Sequence, residues 1–394
     1  MRFTRNITAV FRPLSFLLVS SVCSWEALGS VTQRESAEPT RGAAQFRDAL
    51  TNYVDQSIAQ STPGYALGVI VDGDIFMLNT GGVRKRGAPN TVNADTVFRL
   101  ASVSKTFASG LAASLSSVNM ADKLSEYLPD VSLSRADYQQ ELSLGHLLSH
   151  TSGLMPHAYT NLIQDNQPYK KIIGKLERVN FICAPGECYG YQNVVYSLAG
   201  DLIAAREGTS YESLVQKQLF DPAGMRNSSF GLQAFMSAEN RATPHRWDRS
   251  NKLWDPVKVR GNYYRFAPAA GVNASLNDMM GWLRVQLGLR PDVIDSEALK
   301  DLHEPRVRTS RKRAHYQNPA WNGVANTQYA LGWRTFDFKG EEGFVHHGGW
   351  VKGVRAELVF NKRLQMGLVY LSNSEASFAS EIVPSVLNLY LSKF

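Results

Sequence analysis

The spacing of apolar and polar positions changes period along the chain. From Tyr65 to Val83, "YALGVIVDGDIFMLNTGGV", two β-rich runs flank Asp72-Gly73, a dipeptide suited to a tight turn, so the pattern predicts a hairpin. An amphipathic helix is predicted just before it, near Ala44 to Ala59. Strand-like runs return near the other end, around Val345, Ala356 to Phe360 and Met366 to Leu371, punctuated by glycine and by Asn361-Lys362-Arg363. A closing helix is predicted from about Phe378 to Leu391. Roughly residues 103 to 240 read as helical: Thr106 to Ser117, the "LGHLLSH" stretch ending at His150, and Val194 to Arg206 with Gly208 as its stop. These elements predict an α+β fold, an antiparallel sheet assembled from distant pieces of chain, flanked by terminal helices and interrupted by a mostly helical subdomain.

The first residues follow a different logic. Arg2, Arg5 and Arg12 precede an uncharged run from Pro13 to Trp25, and Ala27-Leu28-Gly29 comes before Ser30, the layout of a secretory signal peptide over residues 1 to 29. The run is shorter than the ~20 residues of a spanning helix, so export to the periplasm or beyond is expected, with no stable membrane span after cleavage. An uncleaved anchor, a lipid on Cys23 and an organelle transit peptide are the alternatives for this segment. Residues 30 to 42, with Thr, Ser, Glu and Pro, read as a linker before a folded domain over 43 to 394.

Composition adds bounds. A chain of 394 residues, 44% hydrophobic and 20% charged, has enough apolar side chains for a large core. The net charge is +7, and losing three arginines and Glu26 with residues 1 to 29 leaves +5. Much of that excess sits in Arg306, Arg308, Arg311, Lys312 and Arg313, a cluster without interleaved aromatics. It reads as a solvated loop, with a site for anionic envelope polymers as the alternative, and no nucleic-acid partner is expected. Cys183 and Cys188 in "CAPGEC" are candidates for a small disulfide loop or for two free thiols. No metal-binding pattern accompanies them, and neither a metal nor an organic cofactor is expected. The composition sets no oligomeric state.

Three short stretches carry chemistry. In "FRLASVSKTF", Ser102 and Lys105 are spaced to share one face at a helix start, where a neutral lysine could take the serine's proton. Burial or a nearby positive charge would have to lower the lysine's pKa from its ordinary ~10.4. The second stretch, "PGECYGYQN", puts Tyr191, Gln192 and Asn193 after a Pro-Gly turn and before a helix, placing a phenol and an amide side by side. The phenol could relay a proton if a neighbouring ammonium lowered its pKa. Tyr159-Thr160-Asn161 shares the spacing but lacks the turn. The third, "HHGGWVKGV", gives His347, then Gly348 and Gly349 where a substrate backbone could approach, then the amide of Trp350, which could join that of Ser102 in an oxyanion hole.

These stretches, in this order, resemble the class C β-lactamase-like serine hydrolases, a group that includes penicillin-binding DD-peptidases, D-aminopeptidases and esterases. The resemblance spans roughly residues 45 to 393. It includes "LLSHTSGL" at 147 to 154, "LFDPAGM" at 219 to 225, "AAGVNASLNDM" at 269 to 279 and "ALGW" at 330 to 333. It implies a β-lactamase-like catalytic domain. Ser102 would be the acylated nucleophile, Lys105 and Tyr191 would share acid and base work, and Asn193 would position Lys105 and the acyl amide. His347 stands where β-lactamases of the class carry a lysine, which removes a fixed positive charge that Lys352 or Arg355 could replace. His150 invites a triad reading with Ser102, but the resemblance assigns its "HTSGL" to loop architecture. The implied function is an exported serine hydrolase acting on amides or esters, such as D-amino-acid peptides of the cell envelope, and reacting with β-lactams. A dedicated β-lactamase, a carboxylesterase and a catalytically silent binding protein are the alternatives.

Overall fold

The computed structural model describes residues 41–310 and 316–394. The expected signal peptide, the linker up to residue 40, and Arg311, Lys312 and Arg313 of the basic cluster lie outside the described residues. The main sheet has eight strands: β1 (Gly64–Val71), β2 (Asp74–Gly82), β3 (Val307–Arg308), β4 (Val324–Tyr329), β5 (Arg334–Phe338), β6 (Glu341–Val351), β7 (Val354–Asn361) and β8 (Met366–Ser372). Their order across the sheet is β2-β1-β8-β7-β6-β5-β4-β3. All neighbours run antiparallel, and β1 pairs with β8 from Tyr65↔Ser372 to Ile70↔Gly367. The first and last strands of this sheet in chain order thus pair side by side, one strand in from its β2 edge.

Each central strand splits its side chains between two cores. On one face Leu67, Val69, Leu368 and Tyr370 pack with Phe46, Leu50, Val54 and Ile58, and with Val383, Val386 and Leu387. Those partners come from helix α1 (Arg41–Tyr53), which continues as a wider π-turn through Ile58, and from the closing helix. Their spacing of four residues in α1 keeps one stripe on the sheet. The closing helix runs Ile382–Leu391 behind a 3-10 turn at Ser377–Ser380, so the predicted single helix is two pieces. Pro384 sits in its first turn, where a missing N–H breaks no helical bond.

The other face carries Ala66, Ile70, Val369 and Leu371, covered by α2 (Ser104–Ser114) and by a helix at Leu276–Gln286. That second helix lies so close that a Cβ on Gly68 would stand 2.4 Å from Met280 Sδ. Only a residue without a side chain fits there. Against α2 packs α3 (Asn193–Glu207), ended by Gly208 in the left-handed region at φ 66°. The helices do not stop near residue 240 as the periodicity predicts. Leu276–Gln286 and Ser296–His303 extend the helical layer, and short strands at Phe98–Arg99, Ser229–Phe230 and Val272–Ala274 pair beneath it. No helix among the described residues is long and apolar enough to cross a membrane.

Candidate active site

Ser102 lies in one 3-10 turn, Ala101–Val103, that leads directly into α2. Ala101 before it has φ 48°, a left-handed conformation that costs a side-chain-bearing residue of order 1 kcal/mol or more and persists only where the surroundings impose it. Two contacts impose it here. The N–H of Leu100 donates to Val272 O at 3.0 Å, and β6 presses Gly349 against the carbonyl of Leu100.

Lys105 is fully buried. Its Nζ stands 2.7 Å from Asn193 Oδ1, 3.0 Å from Ala269 O and 3.5 Å from Ser102 Oγ. Burial first, and the nearby Arg334 guanidinium second, hold the Lys105 pKa well below its ordinary value. A neutral amine has two N–H donors and one lone pair. Asn193 Oδ1 and Ala269 O take the donors, which leaves the lone pair for the hydroxyl proton of Ser102.

Tyr191 brings its hydroxyl to Ser102 and its ring to 4.7 Å from Lys105 Nζ. Burial raises the phenol's pKa, outweighing the Ser102 hydrogen bond and the Arg334 charge that pull it down. The condition named for a phenolate relay, a pKa lowered by a nearby cation, is thus outweighed here by burial. Gln192 caps α3, its side chain accepting from Val194 N at 2.9 Å, so Asn193 enters the first helical turn facing Lys105. Tyr159 is elsewhere, its hydroxyl donating to Lys175 O at 2.9 Å.

His150 does not touch Ser102. Its carbonyl accepts from Gly190 N at 2.8 Å and its Nδ1 from Gln192 N at 3.3 Å, while its ring lies 4.2 Å from that of Tyr191. It ties the "HTSGL" loop to the tyrosine loop. Cys183 and Cys188 are joined in a disulfide at the base of the same loop, and Gly186 N donates to Thr151 O at 2.8 Å.

His347 is also buried. Its Nδ1 pairs with Gly348 O at 2.9 Å and its Nε2 with Tyr329 Oη at 3.2 Å. A carbonyl only accepts, so Nδ1 carries the proton and Nε2 accepts from the tyrosine. Burial, then Lys105, Arg334 and His346, keep this imidazole neutral by lowering its pKa well below the usual range. In the Cβ direction the two glycines after it meet protein atoms. A Cβ on Gly349 would stand 2.1 Å from Leu100 O, and one on Gly348 would stand 2.6 Å from Glu357 Oε2. Glu357 also accepts from buried His346 at 2.8 Å, behind the strand. The indole of Trp350 is 62% exposed and donates to Glu375 Oε2 at 2.8 Å. β6 pairs with β7 as far as Val351 but with β5 only as far as His346, so His347 to Val351 have one edge without a strand.

One residue escaped the sequence reading. Arg334 follows "ALGW" at the start of β5, among Tyr189, Tyr191, Tyr316 and Tyr329, with its Cζ 5.8 Å from the Tyr191 ring centre and 5.6 Å from that of Tyr329. Among the described residues no carboxylate forms an ion pair with it. The cations first considered stand elsewhere: Arg355 lies 4.0 Å from Glu357, and Lys352 is exposed in the turn after β6. The one available signal was a cation directly after an apolar strand entry. Among the described residues no group of three or more His, Cys, Asp or Glu is arranged to hold a metal.

Comparison with known proteins identifies the family and the fold. The chain is 25% identical over 303 residues to "Penicillin-binding protein 4" of Amycolatopsis lactamdurans, covering 73% of this chain and 74% of that one. It is 27% identical over 233 residues to a "D-aminopeptidase" of Gluconobacter oxydans, covering 56% of this chain and 42% of the relative, so it spans less than half of that protein. The solved structure of the octameric penicillin-binding protein homologue from Pyrococcus abyssi superposes with a TM-score of 0.74 at 19% identity, over 89% of this chain and 77% of that one, a likeness of fold. The Beta-lactamase family model matches residues 46–387, and the chain belongs to this family of serine hydrolases.

Proposed function

We propose that the protein is an exported hydrolase that cleaves amides or esters through an acyl-enzyme on Ser102, with peptides ending in a D-amino acid as the favoured substrates. The observation that carries this reading is the environment of Lys105. A buried amine with both donors occupied turns its remaining lone pair to Ser102, beside Arg334, which among the described residues forms no ion pair with a carboxylate.

The steps follow from those contacts. Ser102 Oγ attacks the carbonyl carbon while its proton passes to Lys105 Nζ, and the carbonyl π electrons move to oxygen. Val351 and Val354 close a two-residue turn, so the alternation of ladder bonds directs the Trp350 N–H to the open edge of β6. With the N–H of Ser102 it would stabilise the oxyanion. When the intermediate collapses the leaving nitrogen or oxygen takes a proton from the Tyr191 phenol, which Lys105 replenishes. Water then attacks the ester carbonyl by the reverse relay and frees the acid. Asn193 keeps Lys105 aimed at the serine, and His347 holds the Gly348 and Tyr329 side of the cleft. Gly348 and Gly349 let the strand carrying the Trp350 amide lie close. Arg334 offers a charge-assisted partner to a substrate carboxylate, which a D-amino-acid terminus and a β-lactam both carry and a simple ester lacks.

The test is labelling of purified protein with a fluorescent penicillin and a fluorophosphonate, beside Ser102→Ala and Lys105→Ala, followed by turnover of a peptide ending in D-alanyl-D-alanine, a chromogenic cephalosporin and an acetyl ester. Labelling that maps to Ser102, with D-alanyl turnover exceeding the other two, supports the proposal. An unlabelled Ser102 overturns acyl transfer, and rapid cephalosporin turnover replaces the peptide substrate with a β-lactam.

A further inference from the structure

Beside the cleft lies a surface that the chemistry of Ser102 does not use. Two cavities of about 590 and 970 Å³ adjoin at Lys352 and Glu375, which line both, and together form a groove. None of Ser102, Lys105 and Tyr191 lines it. It starts at Arg99, Tyr263 and Trp350, one residue beyond the glycine that packs on the nucleophile turn, and ends at the hairpin His245–Asp248 and Leu253–Pro256.

Its lining has two properties. Five exposed cations, Arg246, Arg249, Lys258, Arg260 and Lys352, face the groove, and among the described residues none of them forms an ion pair. Two acids share the lining, Glu375, which accepts from the Trp350 indole and from Gly353 N, and Asp248, which accepts from Ser250 N and Asn251 Nδ2 and feels the charge of Arg246, so the five cations leave the groove net positive. The second property is aromatic. Trp247 and Trp254 stand opposite each other in the hairpin, ring centres 5.2 Å apart, with Trp247 44% exposed and Trp350 62% exposed at the other end. Large indoles left in water beside unpaired charge mark a binding surface. The hairpin is also fixed to the sheet, with His245 N donating to Asn373 O at 2.8 Å, so the indoles stand on a rigid support.

We infer that this groove binds a linear anionic glycan, the flat faces of its sugar rings on the indoles and its carboxylates on the five cations. An aromatic and cationic groove also suits single-stranded nucleic acid. The choice rests on the acyl-transfer reading, since a groove that begins one residue from Gly349, which packs on the nucleophile turn, fits a polymer bearing acylated side groups. Nucleic acid offers no such bond. The groove would hold the chain from which the scissile peptide hangs.

Binding is measured with the Ser102→Ala protein, which keeps the groove whether or not Ser102 is a nucleophile. The ligands are soluble carboxylate-bearing glycan strands freed of peptide from bacterial cell wall, neutral chitin oligomers and poly-dT. The glycan strands are expected to bind more tightly than the neutral oligomers and to weaken with added salt. Trp247→Ala with Arg249→Glu should weaken them about tenfold or more, the loss typical of removing an aromatic anchor and reversing a charge, with the unfolding midpoint unchanged. No binding of glycan strands, equal binding by the double variant, or tighter binding of poly-dT overturns the inference. Failure of Ser102 labelling with glycan binding intact overturns only the catalytic reading.

Discussion

At the scale of single residues, function depends on protonation states set by burial. Lys105 must be neutral to act as base, so acylation rises with pH through its lowered pKa and then levels off. Lys105→Ala should lower the acylation rate about 10²- to 10⁴-fold, the usual worth of a positioned base, measured by stopped-flow labelling with the penicillin. Arg334→Gln makes two separable changes. With the second cause of the Lys105 shift gone, the rising limb of the pH profile should move to higher pH. The KM for carboxylate-bearing substrates should rise roughly 10- to 100-fold, the worth of a charge-assisted hydrogen bond, while that for an acetyl ester stays unchanged. A KM rise shared equally by both substrates would contradict carboxylate recognition by Arg334.

At the scale of elements, the cleft is held by two close approaches. β6 reaches the nucleophile turn only because Gly349 has no side chain, the space for a Cβ being taken by Leu100 O at 2.1 Å. Gly349→Ala must push backbone from backbone, and a cost of about 1–3 kcal/mol in urea unfolding is expected together with loss of turnover. The tyrosine loop is fastened on one side by His150 and at its base by the disulfide between Cys183 and Cys188. Closing so short a loop is worth about 2 kcal/mol by chain entropy. Cys183→Ser with Cys188→Ser should therefore lower stability by about that amount and reduce turnover through a less well-placed Tyr191. Unchanged kinetics in the double variant would confine the bridge to a stabilising role.

At the scale of the whole molecule, burial of neutral histidines predicts acid sensitivity. His150, His303 and His347 all have pKa values pushed well below 6.5, by burial first and by nearby cations second. Above pH 6.5 they are neutral in both states and contribute no pH dependence. As pH falls below that value the unfolded chain gains protons that the native state does not, so each histidine removes about 1.4 kcal/mol of stability per pH unit. Urea unfolding at pH 7.0 and 5.5 should show the drop, and His303→Phe, outside the cleft, should flatten it. What the sequence determined is what local chemistry determines. The hairpin at Asp72-Gly73, the period of the terminal helices, and the Ser-x-x-Lys, Tyr-x-Asn and His-Gly-Gly spacings are properties of a few neighbouring residues, and they were legible without a structure. The tertiary structure alone decided which groups meet. It seated Arg334 among four tyrosines, filled the space beside Gly348 and Gly349 with protein, and turned His347 to Tyr329. It also raised the pKa of Tyr191 and lowered that of Lys105, because desolvation depends on all the atoms packed around a charge, which come from every part of the chain.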